Sequence, residues 1–145
     1  MILAELFTMT EIDAPAERVW QVLTDFGRYP EWNPFIRRVD GAPARSAQLA
    51  VLVQPEGSRA LHYRPRVVTV RPPRELRWRI RVPGLINGEH RFVVEPLGDR
   101  RSRLIHEKRV RGLLVPFLRW GLGAPLRRGF DAMGVALKHT AEQKG

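Results

Sequence analysis

Cysteine is absent from the 145 residues. That excludes disulfides, thiol catalysis and thiolate metal sites, and it fits a reducing compartment, so a cytoplasmic location is expected. No apolar run approaches the ~18 residues that a membrane-spanning helix needs. Glu5, Glu11, Asp13 and Glu17 lie within the first twenty residues, which argues against a leader peptide there. Serine occurs at three positions only, Ser46, Ser58 and Ser102, none in a nucleophile-elbow setting. Gly121-Leu122-Gly123 lacks the third glycine and the preceding strand of a dinucleotide fold, and there is no phosphate loop. No cofactor is expected. Neither is a metal: His62, His90 and His106 fall on separate predicted strands, and none has a second ligand at i+2 or i+4.

Lysine is scarce too. Of the 25 basic residues, three are lysine and the rest arginine, against 15 acidic residues, for a formal charge of +10. The whole excess falls between Arg59 and Arg111, where 15 basic residues meet 5 acidic ones. Such a stretch can attract an anionic membrane or an acidic protein. Alternatively, it reflects an arginine-biased composition at solvent positions. Nucleic acid is not expected as a partner, because binders of that class usually use lysine as well.

What is present is an ordinary globular composition, 43% hydrophobic and 28% charged. The length suits one domain over 1–145, able to bury about 70% of its unfolded surface. Glu5 to Asp13 reads as a strand. Ala16 to Asp25 has Val19, Trp20, Leu23 and Phe26 at helical spacing, with Asp13 as the expected N-cap, Pro15 as first helical residue and Gly27 as the stop. Prolines allow only a short helical turn between Pro30 and Asn33. Six more strands follow: Phe35 to Val39, Gln48 to Gln54, Leu61 to Val70, Leu76 to Val82, His90 to Pro96 and Arg103 to Val110. Pro65 hints at an edge or bulge in the third of these. In Leu76 to Val82, apolar Leu76, Trp78, Ile80 and Val82 alternate with Arg77, Arg79 and Arg81, so one face is buried and the other wet. Leu122, Leu126, Phe130, Met133, Leu137 and Ala141 form an amphipathic stripe, with Pro125 expected in its first turn. Gly129 and Gly134 within it suit close packing on a sheet. The apolar run 113–123 holds Phe117 and Trp120. The expectation is an α+β fold: a seven-stranded, curved antiparallel sheet wrapped around a long C-terminal helix, with two short helices after strand 1.

This order resembles the helix-grip superfamily of START and Bet v 1-like proteins (SRPBCC), which includes polyketide cyclases/dehydratases and lipid-transport proteins. The carrying residues are Ile12-Asp13-Ala14-Pro15 before Val19-Trp20, Leu23-Thr24-Asp25, and Tyr29 through Phe35 (YPEWNPF). Arg74 through Trp78 (RELRW), His90-Arg91-Phe92 and His106-Glu107 before Gly112-Leu113-Leu114 add to it. The resemblance implies a mostly apolar cavity between sheet and helix that takes a small hydrophobic or amphipathic ligand.

Alternation places Trp78, Ile80, His90, Phe92, Leu104 and His106 on the inner face, with His106 opposite Phe92 or His90. Tyr63 shares that face, Phe130 and Met133 oppose it from the helix, and Trp32 and Phe35 are expected near an opening. The expected ligand-binding set is therefore Trp32, Phe35, Tyr63, Trp78, Ile80, His90, Phe92, His106, Phe130 and Met133, with His90, His106 and Tyr63 orienting the ligand. The same residues could also fill a core. His62 and His139 are expected at the surface, and no catalytic residue is assigned. A cyclase or dehydratase using the histidines, and a module docking through Arg77, Arg79 and Arg81, are the alternative functions.

Overall fold

The computed structural model describes residues 3–57, 59–83, 85–112 and 115–143, with side chains left undescribed at 3–4 and 115–123. Phe117 and Trp120 thus lie outside the described side chains. Strand β1 (Leu3–Ile12) leads to helix α1 (Ala16–Thr24), a tight turn at Phe26–Arg28 and the short helix α2 (Tyr29–Trp32). Then come β2 (Ile36–Asp40), β3 (Ala50–Val53), β4 (Leu61–Tyr63), β5 (Arg66–Arg71), β6 (Glu75–Val82), β7 (Ile86–Gly98) and β8 (Arg101–Arg111), and finally α3 (Val115–Glu142). The order β1-β8-β7-β6-β5 makes one antiparallel sheet, and β2-β3-β4 a second.

The strand expected over Leu61 to Val70 is two strands, β4 and β5. Pro65 has no N–H to give to a ladder, so pairing breaks there. The layer is nevertheless continuous: the backbone of 46–49 bonds to that of 65–67, with Ser46 N–H to the Val67 carbonyl (2.8 Å) and Leu49 N–H to the Pro65 carbonyl (2.9 Å).

Three helix boundaries differ from expectation. Asp13 does not cap α1. The cap position is Pro15, and the Asp13 N–H donates instead to Glu142 Oε2 of α3 (2.8 Å). Asp13 stands two residues before that cap, too far to reach the first-turn amides. Helix α1 ends at Thr24, and Gly27 lies in the following turn. Helix α3 begins at Val115, so Pro125 is interior rather than in the first turn. Nothing in the run 113–123, apolar but for Arg119 and holding two glycines, marked a helix face.

Helix α3 crosses the concave side of the large sheet, on β1 and β8, and also touches α1 and α2. Its buried stripe is Gly129, Phe130, Met133, Gly134, Leu137 and Ala141. The glycines set how closely it lies. A methyl group at Gly134 would stand 2.7 Å from Thr10 Oγ1 of β1, and one at Gly129 would run into the Phe35 ring. Arg18 of α1 fastens the far end by donating to the Thr140 (3.2 Å) and Ala141 (3.4 Å) carbonyls, which a helix C-terminus leaves without partners.

The outer face carries the odd-numbered residues of β6 to β8. Glu75, 7% exposed, accepts from Arg91 (2.8 Å) and Arg77 (2.9 Å). Arg77 also pairs with Glu89 (3.0 Å), and Arg91 with Glu107 (3.4 Å). Burial alone would raise the Glu75 pKa, but the bonds from Arg91 and Arg77 outweigh it and hold the carboxyl below its usual range.

Gly129→Ala follows as a test of the packing. Helix propensity favours alanine by about 1 kcal/mol, but the collision with a buried Phe35 ring costs about 1–3 kcal/mol. Urea denaturation should show net destabilisation, and a more stable variant would contradict the close approach.

Candidate ligand site

Register assembles the site. On the inner face, β8 contributes Leu104, His106, Lys108 and Val110, each paired with an even-numbered residue of β7. One row across the sheet runs Thr8, His106, Phe92, Leu76. The next runs Leu6, Lys108, His90, Trp78. His106 thus sits opposite Phe92, one of the two partners that alternation allowed, and His90 opposite Lys108. Trp78, His90, Phe92 and His106 are each at most 2% exposed.

The two imidazoles meet Nε2 to Nε2. Phe130 of α3 stacks over His106 (centroids 3.8 Å apart, 4° between planes) and more distantly over His90 (5.4 Å). Trp78 stands edge-on to Phe92 at 5.4 Å. Phe35 is 1% exposed and packs edge-on to Phe130 (5.7 Å), so the placement of Phe35 at an opening is corrected. Gly129 has no side chain, and the ring fills that gap beneath α3. Trp32 is half-buried against Tyr29 (5.1 Å). Met133 is fully buried. Around His106 the space between sheet and helix is therefore filled by protein rings.

In the next row His90 and Trp78 are still buried, but Leu6 and Lys108 are half-buried, as are Tyr63 and Ile80 beside them, and Val82 farther along β6 is 42% exposed. Tyr63 reaches in from β4, and Lys108 Nζ lies 5.6 Å from its ring centroid. The polar atoms here are conspicuously unpaired. Among the described residues six buried side-chain polar atoms lack a hydrogen-bond partner, and four are Tyr63 Oη, Trp78 Nε1, His90 Nδ1 and His106 Nδ1. The Trp78 indole acts on the Tyr63 hydroxyl as a donor, short of a full hydrogen bond. An unsatisfied buried group costs about 1–3 kcal/mol, so four of them on neighbouring side chains of one layer are a cost that the packing alone does not offset.

Burial decides the charge states. It pushes His90 well below the usual imidazole pKa, helped by His106 and Lys108, and it does the same to His106, helped by Lys108. Both rings are neutral at pH 7. One then donates Nε2–H to the other, leaving one Nδ1 as donor and one as acceptor. Burial lowers Lys108 to about 8 and raises the Tyr63 hydroxyl. No carboxylate of the described residues pairs with Lys108.

Lys108 was missed in the sequence reading, although it lies two residues after His106 on the same strand and so shares its face. His62 and His139 are exposed, as expected. An open groove of about 540 Å³, lined by Arg38, Asp40, Leu52, His62, Tyr63 and Arg64 among others, lies along β2-β3-β4. Among the described residues no helix is long and apolar enough to cross a membrane.

Comparison with known proteins bears on this arrangement. A family model described as polyketide cyclase/dehydrase and lipid transport matches residues 5–142. Among solved structures, the Zhui aromatase/cyclase from Streptomyces is similar with TM-score 0.79 and 18% identity, over 97% of this chain and 94% of that one. A START superfamily protein from Mycobacterium smegmatis has TM-score 0.74 and 23% identity over 96% and 97%. Norcoclaurine synthase from Thalictrum flavum has TM-score 0.71 and 15% identity over 97% and 94%. At these identities the likeness speaks for the fold, which is the helix-grip fold expected. No curated protein matches.

The histidine pair has a measurable signature. An unfolded imidazole binds protons below about pH 6.5 and the folded pair does not. Stability is therefore complete above that value and falls as the pH drops through 6.5 toward 5, by up to about 1.4 kcal/mol per unit for each histidine. Urea denaturation from pH 5 to 8 should show this slope and His90→Phe/His106→Phe should flatten it; a flat wild-type profile would contradict neutral, buried imidazoles.

Proposed function

The chain belongs to the polyketide cyclase/dehydrase and lipid-transport family, and from that premise we propose that it binds a small hydrophobic or amphipathic molecule between the sheet and α3. Family membership supports a ligand-binding cavity. The polar end of the ligand lies at Tyr63, His90 and Lys108, and its apolar part lies along Ile80, Leu6 and Leu126 of α3. The observation that carries this reading is the concentration of unpaired buried polar atoms beside the half-buried row. Phe35, Phe92, Phe130 and Met133 form the packed floor behind the ligand rather than its walls. Burying about 300 Å² of apolar ligand surface at ~25 cal/mol per Å² yields about 7 kcal/mol before ordering costs, enough for binding in the micromolar range or somewhat weaker.

One observation favours a second reading, a cyclase- or dehydratase-type enzyme. Two neutral imidazoles in contact, next to an amine of pKa about 8, can accept and return protons near neutral pH. The docking of the arginine row on a membrane or acidic partner is not favoured. Arg77 and Arg79 are already paired with Glu75 and Glu89, so β6 does not present three free guanidinium groups.

Titration with the neutral fluorophore N-phenyl-1-naphthylamine tests the first reading. Saturable enhancement is expected, retained within about threefold in His90→Phe/His106→Phe and lost in Ile80→Arg. No saturable signal in the wild type would overturn it. If a cyclisation substrate is found, loss of turnover in the double variant with affinity kept would establish the second reading.

A further inference from the structure

The interior has a polarity of its own. Lys108 is the only basic residue on the described inner face of β1, β6, β7 and β8, and that face carries no carboxylate: its residues are Leu6, Thr8, Thr10 and Ile12; Leu76, Trp78 and Ile80; Gly88, His90, Phe92 and Val94; and Ser102 to Val110 at even positions. The described buried stripe of α3 is equally free of acid. The glutamates of β6, β7 and β8, Glu75, Glu89, Glu95 and Glu107, are turned outward into the arginine ladder.

The unpaired atoms are also unbalanced. The Trp78 indole only donates, the Tyr63 hydroxyl can donate, and one of the two Nδ1 atoms donates; beside them the half-buried Lys108 ammonium, which also only donates, has no carboxylate partner among the described residues. Against these stand one imidazole lone pair and the oxygen of Tyr63. A ligand that satisfies this set brings acceptors, and one that also answers the half-buried cation brings a single negative charge. The Tyr63 ring at 5.6 Å gives the ammonium a cation–π contact, which is weaker than an ion pair.

We propose that the ligand of this protein is a carboxylic acid, bound as its carboxylate by Lys108 with the Tyr63 hydroxyl and Trp78 indole as hydrogen-bond donors. This rests on the reading of the interior as a ligand site and names the class of molecule that occupies it. One lysine matches a monoanion; a phosphate dianion would find a single cation where it needs two. The groups facing Lys108 are His90 from β7, Tyr63 from β4 and His106 on its own strand, with Leu6 opposite on β1. None supplies negative charge at pH 7, so the carboxylate is the counter-ion.

The test compares acids with alcohols of the same shape: decanoate with decan-1-ol, and 1-naphthoate with 1-naphthylmethanol, by isothermal titration calorimetry at pH 7. The expected result is that each acid binds at least tenfold tighter than its alcohol, and that Lys108→Met abolishes the preference while leaving alcohol affinity within about threefold. Because the acid holds the ammonium in its charged form, binding at pH 8 takes up about half a proton, read from the heats in two buffers of different ionisation enthalpy. The same uptake vanishes in Lys108→Met. Removing a half-buried charge that no carboxylate neutralises is not expected to prevent folding, and Lys108→Gln serves as a second variant. Equal binding of acid and alcohol, or a preference that survives both substitutions, overturns the carboxylate assignment alone. Failure of all four compounds to bind overturns the ligand-site reading and the assignment with it.

Discussion

The rest of the structure depends on one constraint: a concave sheet face must be covered, and α3 covers it tightly from Gly129 to Ala141. From Gly134 on Thr10 to Phe130 on His106, backbone and rings meet without room between them. Past Phe130 the exposure of the inner residues rises, and it is there that Tyr63, His90 and Lys108 converge. A protein optimised for stability alone would fill those positions with apolar side chains, since each unpaired buried polar atom costs more than an aliphatic group of the same size. Retaining four of them beside an unneutralised amine makes sense if a ligand completes the set.

The two faces of the same strands divide the labour by parity. Odd residues of β6, β7 and β8 build the ladder of arginine and glutamate centred on Glu75, and even residues build the interior. This explains why a chain with charge +10 has so little positive charge inside. The exposed pairs contribute little each, whereas the nearly buried Glu75, held by two guanidinium groups, gives that face a fixed centre. It also leaves the interior electrostatically simple, with one cation and neutral imidazoles.

Much of this was legible from periodicity. Alternation in Leu76 to Val82 and the pairing of His106 with Phe92 follow from the two-residue repeat of a strand, and the stripe from Leu126 to Ala141 follows from the helix repeat. The glycines at 129 and 134 announced close packing, and the structure shows what they approach. Other features depend on tertiary context. Pro65 splitting one strand into two was half-visible. Phe35 as a wedge under α3 was not, because only the fold brings Gly129 over it. That Phe92, Phe130 and Met133 pack against protein likewise needs the helix placed to within an ångström or two. Lys108 is the instructive omission: its parity with His106 was available, but a lysine among so many arginines reads as surface until the neighbouring carboxylates are seen to point away.

The central claim is that the interior beside Lys108 holds a small molecule. Native mass spectrometry of the protein purified from its own cells, followed by denaturing extraction, tests this most directly. The account predicts a mass above that of the bare chain and release of one amphiphilic compound in near-stoichiometric amount. A protein that arrives at the mass of the chain alone, and then shows no saturable uptake when offered a lipid extract of those cells, would contradict it.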